Sequence, residues 1–195
     1  MSKRKYTLKE RAKQQQETHD RIVEAAMALH ESLGPRNTSI SAIAEHAGVQ
    51  RLTVYRHFAD DDELYAACTA RFLEQNPPPD PAQWQSSNEP LERCEKALLA
   101  LYRYFRGTQR MWQRAYRDLE DVPAYQPAMD AFQRYLMQIR DDLAAGWNPT
   151  GARKRALKST LGHIVQFPTW QQLAGQGLSD KQIVNVVSRW VTATA

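Results

Sequence analysis

Between residues 50 and 57 the chain reads Gln-Arg-Leu-Thr-Val-Tyr-Arg-His, gathering amide, guanidinium, hydroxyl, phenol and imidazole groups around one valine. An arginine can bond O6 and N7 of guanine through both arms of its guanidinium, and a glutamine can do the same at the N6 and N7 edge of adenine. Arg51 and Gln50 are therefore candidates for reading base edges in a major groove. No other set of residues offers competing covalent chemistry. The spacings HExxH, GxSxG and GxxxxGK[ST] do not occur, and His163 is the one histidine beyond residue 57. Cys68 and Cys94 lie too far apart for CxxC spacing and are expected to be packing residues. The chain reads as a non-enzyme with no cofactor and no metal.

Those side chains need a helix to present them and a second helix to hold that helix down. Thr38 or Ser39 can cap a short helix carrying Ile40, Ile43, Ala44 and Ala47. Gly48 then supplies a left-handed turn, where a Cβ would cost about 1–2 kcal/mol. A further short helix begins near Gln50 and runs to Phe58, with Val49 and Val54 pinning it against Ile43 and Ala47 and with Ala44 small where the helices cross. Gln50, Arg51, Leu52, Thr53, Tyr55, Arg56 and His57 are left to face outward in varying degree, the arrangement of a helix-turn-helix with its second helix in a groove. Ahead of it, Ile22, Ala25, Ala26, Leu29 and Leu33 mark a core helix starting near Thr18 and stopped by Gly34-Pro35. Behind it, Asp60 or Asp61 caps a fourth helix that ends at Asn76-Pro77-Pro78-Pro79.

The string Thr38 to Phe58 resembles the tetracycline-repressor (TetR) family of bacterial regulators. Ile43-Ala44, Ala47-Gly48-Val49, Val54-Tyr55, His57-Phe58 and Leu64 fit the family pattern, as do Ile22, Ala25-Ala26 and Leu29 leading to Gly34. The resemblance covers roughly residues 18–75. It implies that Thr38 or Ser39 and the amide end of the second helix hold phosphate, and that Tyr55 and His57 hold the backbone too. It places Gln50, Arg51 and Leu52 nearest base edges, with Thr53 close to a phosphate or a thymine methyl. For His57, simple surface exposure is an equal alternative. The chain departs from the pattern twice. Asp61 stands where the family has a phosphate-touching lysine, and Leu52 replaces a small residue, which favours apolar contact with thymine.

The net charge of +4 is unevenly placed. Lys3, Arg4, Lys5, Lys9, Arg11 and Lys13 stand against Glu10 alone, so the first thirteen residues carry +5 and the remainder −1. Such an end is either an arm for a polyanion, able to enter a minor groove and replace the missing lysine anchor, or a solubilising tail. The longest apolar stretches, such as Ala97–Tyr102, fall far short of the roughly 20 residues that cross a bilayer, and no apolar signal follows the basic start. No membrane contact and a cytoplasmic location are expected.

Helical periodicity continues to the C-terminus and no stretch alternates with period two. The expected fold is all-α with about nine helices. It comprises a basic, partly disordered arm over 1–17, a helix-turn-helix domain over 18–75 including its connecting fourth helix, and a helical ligand-binding and dimerisation domain over 76–195. Later helices are read at about 90–106, 108–119, 124–145, 152–173 and 180–193, with Pro127 in a first turn and Pro168 breaking or bending the penultimate helix. This second domain resembles that of the same family by architecture alone. Met111, Trp112, Tyr116, Tyr125, Met129, Phe132, Trp147, His163 and Phe167 are expected to line a soft aromatic pocket for a small-molecule effector of unknown identity. Leu161, Val165, Trp170, Ile183, Val187, Trp190 and Val191 are expected at a homodimer interface matched to a palindromic operator. The reading is a ligand-responsive repressor of double-stranded operator DNA. The alternative is a helical protein-interaction scaffold without specific DNA binding.

Overall fold

A computed structural model of the chain describes its backbone from Ser2 and its side chains from Leu8 onward. In order it contains α1 (Ser2–Ser32), a 3-10 turn (Pro35–Asn37), α2 (Ile40–His46), α3 (Arg51–His57), α4 (Asp61–Gln75) and α5 (Ala82–Gln85). It continues with α6 (Pro90–Gly107), α7 (Gln109–Asp118), a second 3-10 turn (Pro123–Tyr125), α8 (Gln126–Ala145), α9 (Gly151–Ile164), α10 (Phe167–Ala174) and α11 (Asp180–Thr194). No strand occurs among the described residues. The protein is all-α, as the periodicity requires.

Two elements exceed the expected count, each for a local reason. The Pro-rich stretch 76–90 folds one turn, α5, whose Trp84 is wholly buried and donates through Nε1 to Asp142 at 3.1 Å. The expected helix over 152–173 is two helices, because Pro168 occupies the first turn of α10, where a missing N–H costs nothing. Carbonyls left over at the end of α9 find hydroxyl donors. Tyr102 Oη donates to the Ile164 carbonyl at 2.9 Å and Thr169 Oγ1 to that of His163 at 2.8 Å.

The chain divides into two compact units, Met1–Gln75 with Gln113–Ala128, and Asn76–Trp112 with Met129–Ala195. Sequence pattern alone groups 113–128 with the C-terminal domain. In the first unit Ile22, Val23, Ala26, Ile43, Ala44, Val54, Phe58, Leu64 and Cys68 form one core across α1 to α4. Arg71 on α4 ties this core's rim to α1 through Asp20 at 3.2 Å and Glu24 at 3.6 Å. α1 is a single helix through the segment read as an arm. Its residues Leu8–Glu17 are all exposed, as expected where no apolar stripe exists.

Segment 113–128 completes this unit. Arg114 and Arg117 donate to the carbonyls of Ser32 and Leu33, both at 3.1 Å, capping the C-terminus of α1 with positive charge. The Asp118 carboxylate is buried, bonded by Arg117 Nη2 at 2.8 Å and by the Arg36 N–H at 3.3 Å. The Arg117 guanidinium holds its carboxyl below the usual range. Gly34, at φ 90°, is where this segment touches the loop, since a Cβ there would run into Arg117 and Asp118. Nearby, His30 is buried, stacked on Tyr65 at 5.1 Å with its Nδ1 3.2 Å from Tyr125 Oη, and burial lowers its pKa to about 4.

The second unit corrects the expected dimer surface. Leu161, Val165, Trp170, Ile183, Val187 and Val191 are all wholly buried within the single chain, where α11 packs on α6 and α9 and the Trp170 ring lies 5.9 Å from that of Phe105 on α6. Side chains with no surface cannot meet a partner subunit. Their stripes on α9, α10 and α11 are spent on the intrachain core, and Trp190, 41% exposed, is the one residue of that set still at the surface.

Candidate nucleic-acid interface

The hairpin of α2 and α3 is built by caps and a glycine. Ser39, with extended backbone, accepts the Ala42 N–H at 3.1 Å and so starts α2 while keeping its own proton to donate. Thr38 is not the cap, and its hydroxyl donates to the Gly34 carbonyl at 2.8 Å. Gly48 takes φ 65°, the Val49 N–H closes onto the Ala44 carbonyl at 2.9 Å, and Gln50 opens α3. Val54 and Phe58 sink into the core and fix the rotation of α3 about its axis.

That rotation decides what the outer face carries. Gln50, Arg51, Leu52, Tyr55 and Arg56 are exposed, Leu52 at 58% and Tyr55 at 43%, while Thr53 and His57 are half-buried. Arg51 and Tyr55, one turn apart, act as a pair. The guanidinium donates to Tyr55 Oη at 3.0 Å and lies 5.5 Å from the ring centroid, which narrows its rotamers before any partner arrives. His57 is less available than its spacing suggests, with its ring 6.2 Å from that of His19 on α1. Burial, with the like charge of His19, lowers its pKa. Asp60 and Glu63 are occupied in capping α4: Asp60 accepts the Glu63 N–H at 2.9 Å and Glu63 accepts that of Ala59 at 2.7 Å. The contacts expected of Lys3, Arg4 and Lys5 lie outside the described side chains.

The expected effector residues do not form one group. Tyr116 and Tyr125 belong to the first unit, and Tyr125 is engaged with His30. His163 is exposed and Trp147 half-exposed at the far end of α8. Trp112, Phe132 and Phe167 do come together in the second unit, with Trp112 stacked on Phe132 at 4.2 Å and 6.4 Å from Phe167, and with Met111 and Met129 next to them in sequence. Tyr104, Phe105 and Trp170 join this cluster. Sequence reading missed Tyr104 and Phe105, although Phe105 falls on the buried stripe of α6 and the half-buried Tyr104 stands next to it. Of the arginines at 103, 106, 110, 114 and 117, whose spacing suits either a solvated charged face or an acidic effector, Arg106 is bonded to Asp180, Arg114 to the Ser32 carbonyl and Arg117 to that of Leu33.

A three-helix core presenting a short, cationic, solvent-facing helix after a glycine turn defines the helix-turn-helix class. Residues 22–68 match the sequence model of the bacterial regulatory proteins of the tetR family. Solved structures extend the likeness in fold to about nine-tenths of the chain. A TetR-like transcriptional regulator from Rhodococcus sp. RHA1 is 17% identical with a TM-score of 0.60, over 89% of this chain and 93% of its own. A HlyIIR mutant protein is 17% identical with a TM-score of 0.62, over 90% and 96%. A TetR family transcription regulator from Marinobacter aquaeolei VT8 is 13% identical with a TM-score of 0.57, over 92% and 97%. No curated protein matches the sequence. Residues 22–68 thus match the tetR-family model and the chain has a TetR-like fold, which supports a DNA-binding transcriptional regulator.

Proposed function

We propose that this protein is a homodimeric, ligand-responsive transcriptional repressor that seats α3 of each subunit in the major groove of a palindromic operator. The observation carrying this reading is the outer face of α3, where Gln50, Arg51, Leu52, Tyr55 and Arg56 stand exposed while Val54 and Phe58 lock the helix below. Arg51, held by Tyr55, reads guanine, Gln50 reads adenine, and Arg56 meets phosphate. The hydroxyls of Ser39, Thr53 and Tyr55 add backbone contacts. The domain plan that goes with this is an N-terminal DNA-binding half and a C-terminal effector and dimerisation half.

The effector reading is supported by the cluster of Trp112, Phe132 and Phe167 with Met111 and Met129, which suits an apolar, aromatic molecule. Such a molecule changes DNA affinity only through a difference in its own affinity for the two states of the protein. Dimerisation rests on the surface around Trp190 and the half-buried Val186 one turn before it. The deciding experiment replaces Arg51 with alanine. Binding to duplex DNA from around the protein's own gene, followed by fluorescence anisotropy at low salt, is expected to weaken at least about fivefold, that is by about 1 kcal/mol or more, with the melting temperature unchanged. Equal DNA affinity in wild type and variant would favour a scaffold instead.

A further inference from the structure

The outer face of α3 is polar and cationic except at one point. Leu52 presents 58% of its surface to solvent, next to Arg51 at the start of the helix, where a recognition helix comes closest to base edges. It lies two positions before Val54, about 200° around the helix axis, so the residue that anchors α3 also aims Leu52 away from the core. A leucine side chain has no donor and no acceptor. Set against N4 of cytosine, N6 of adenine or O6 of guanine, it would strip water from a polar group and return no hydrogen bond. The major groove displays one apolar group, the C5 methyl of thymine.

We infer that Leu52 is a specificity determinant that reads a single thymine methyl in each half-site, beside the guanine taken by Arg51. This rests on the reading of the hairpin as DNA-binding. The neighbouring guanidinium cannot swing into the same space while Tyr55 holds it at 3.0 Å, so the two side chains address adjacent positions.

The test starts from a randomised duplex pool from which the wild-type protein selects its preferred sequence. Each thymine of that sequence is then replaced in turn by deoxyuridine, which removes the methyl and nothing else. One thymine per half-site is expected to lose about fourfold in affinity, the effect of burying one methyl group. Leu52→Ala is expected to lose a similar factor on the thymine duplex and to be indifferent to uracil at that same position. Because Leu52 lies outside the core, the variant should melt with the wild type. A selected sequence without an A·T pair near the guanine, or one in which no uracil changes wild-type affinity, overturns the inference and leaves the DNA-binding reading standing. A pool that yields no enriched sequence overturns both.

Discussion

The α2–α3 hairpin and the α9–α11 region of the second unit show opposite relations between an apolar pattern and a surface. In the hairpin, seven-residue helices offer the core only Ile43, Ala44 and Val54, and every other large side chain on α3 is left outside or at the rim. In the second unit, Ile183, Val187 and Val191 on α11 look like a face waiting for a partner and are instead wholly covered within the chain. A short helix has one face to bury, so its free face follows from which residues must go in. A long helix in a multi-helix unit has neighbours on several sides, and periodicity cannot tell an intrachain neighbour from a second subunit.

The largest test of this contrast is Trp170→Ala. If the α10 stripe is core, losing a wholly buried indole that also donates to Asp180 at 3.0 Å should destabilise the second unit by about 3–5 kcal/mol in urea unfolding. Trp190→Ala should move the same transition by less than about 0.5 kcal/mol and raise the dimer dissociation constant in sedimentation. A large unfolding effect at Trp190 would erase the distinction.

Next in size is an acid effect confined to the first unit. The unfolded chain binds a proton at His30 below pH about 6.5, while the folded chain refuses it until about 4. Stability should therefore be full above about 6.5 and fall as pH drops toward 4, by about 3 kcal/mol in total. His30→Phe should flatten that part of the wild-type-minus-variant curve, and parallel curves would refute it. Smaller than the His30 effect is that of Gly48→Ala, where no atom lies within 4 Å of an added Cβ and φ is 65°. Backbone strain alone remains, about 1 kcal/mol in thermal unfolding, with Gly48→Asn losing less.

The hairpin was legible because each of its signals is local: a capping hydroxyl, a small residue at the crossing, a glycine, two apolar anchors. Its details shifted only where a distant residue intervened, as His19 does at His57. The break at Pro168 was equally local. What escaped was long-range. Nothing near Arg114, Arg117 or Asp118 announces that their partners are Ser32, Leu33 and Arg36, some 80 residues earlier. Arg106, Arg114 and Arg117 recur at helical spacing, yet each is bonded to an acceptor of its own.

That bonding sets a rule for recombining such chains. A hybrid that joins residues 1–75 to a foreign sensor would take the recognition helix but abandon its far-off lid, stripping the last carbonyls of α1 of their arginines and leaving His30 without Tyr125. Transplanting the first unit of this protein intact requires two separate pieces of gene, the first 75 codons and the short stretch encoding 113–128.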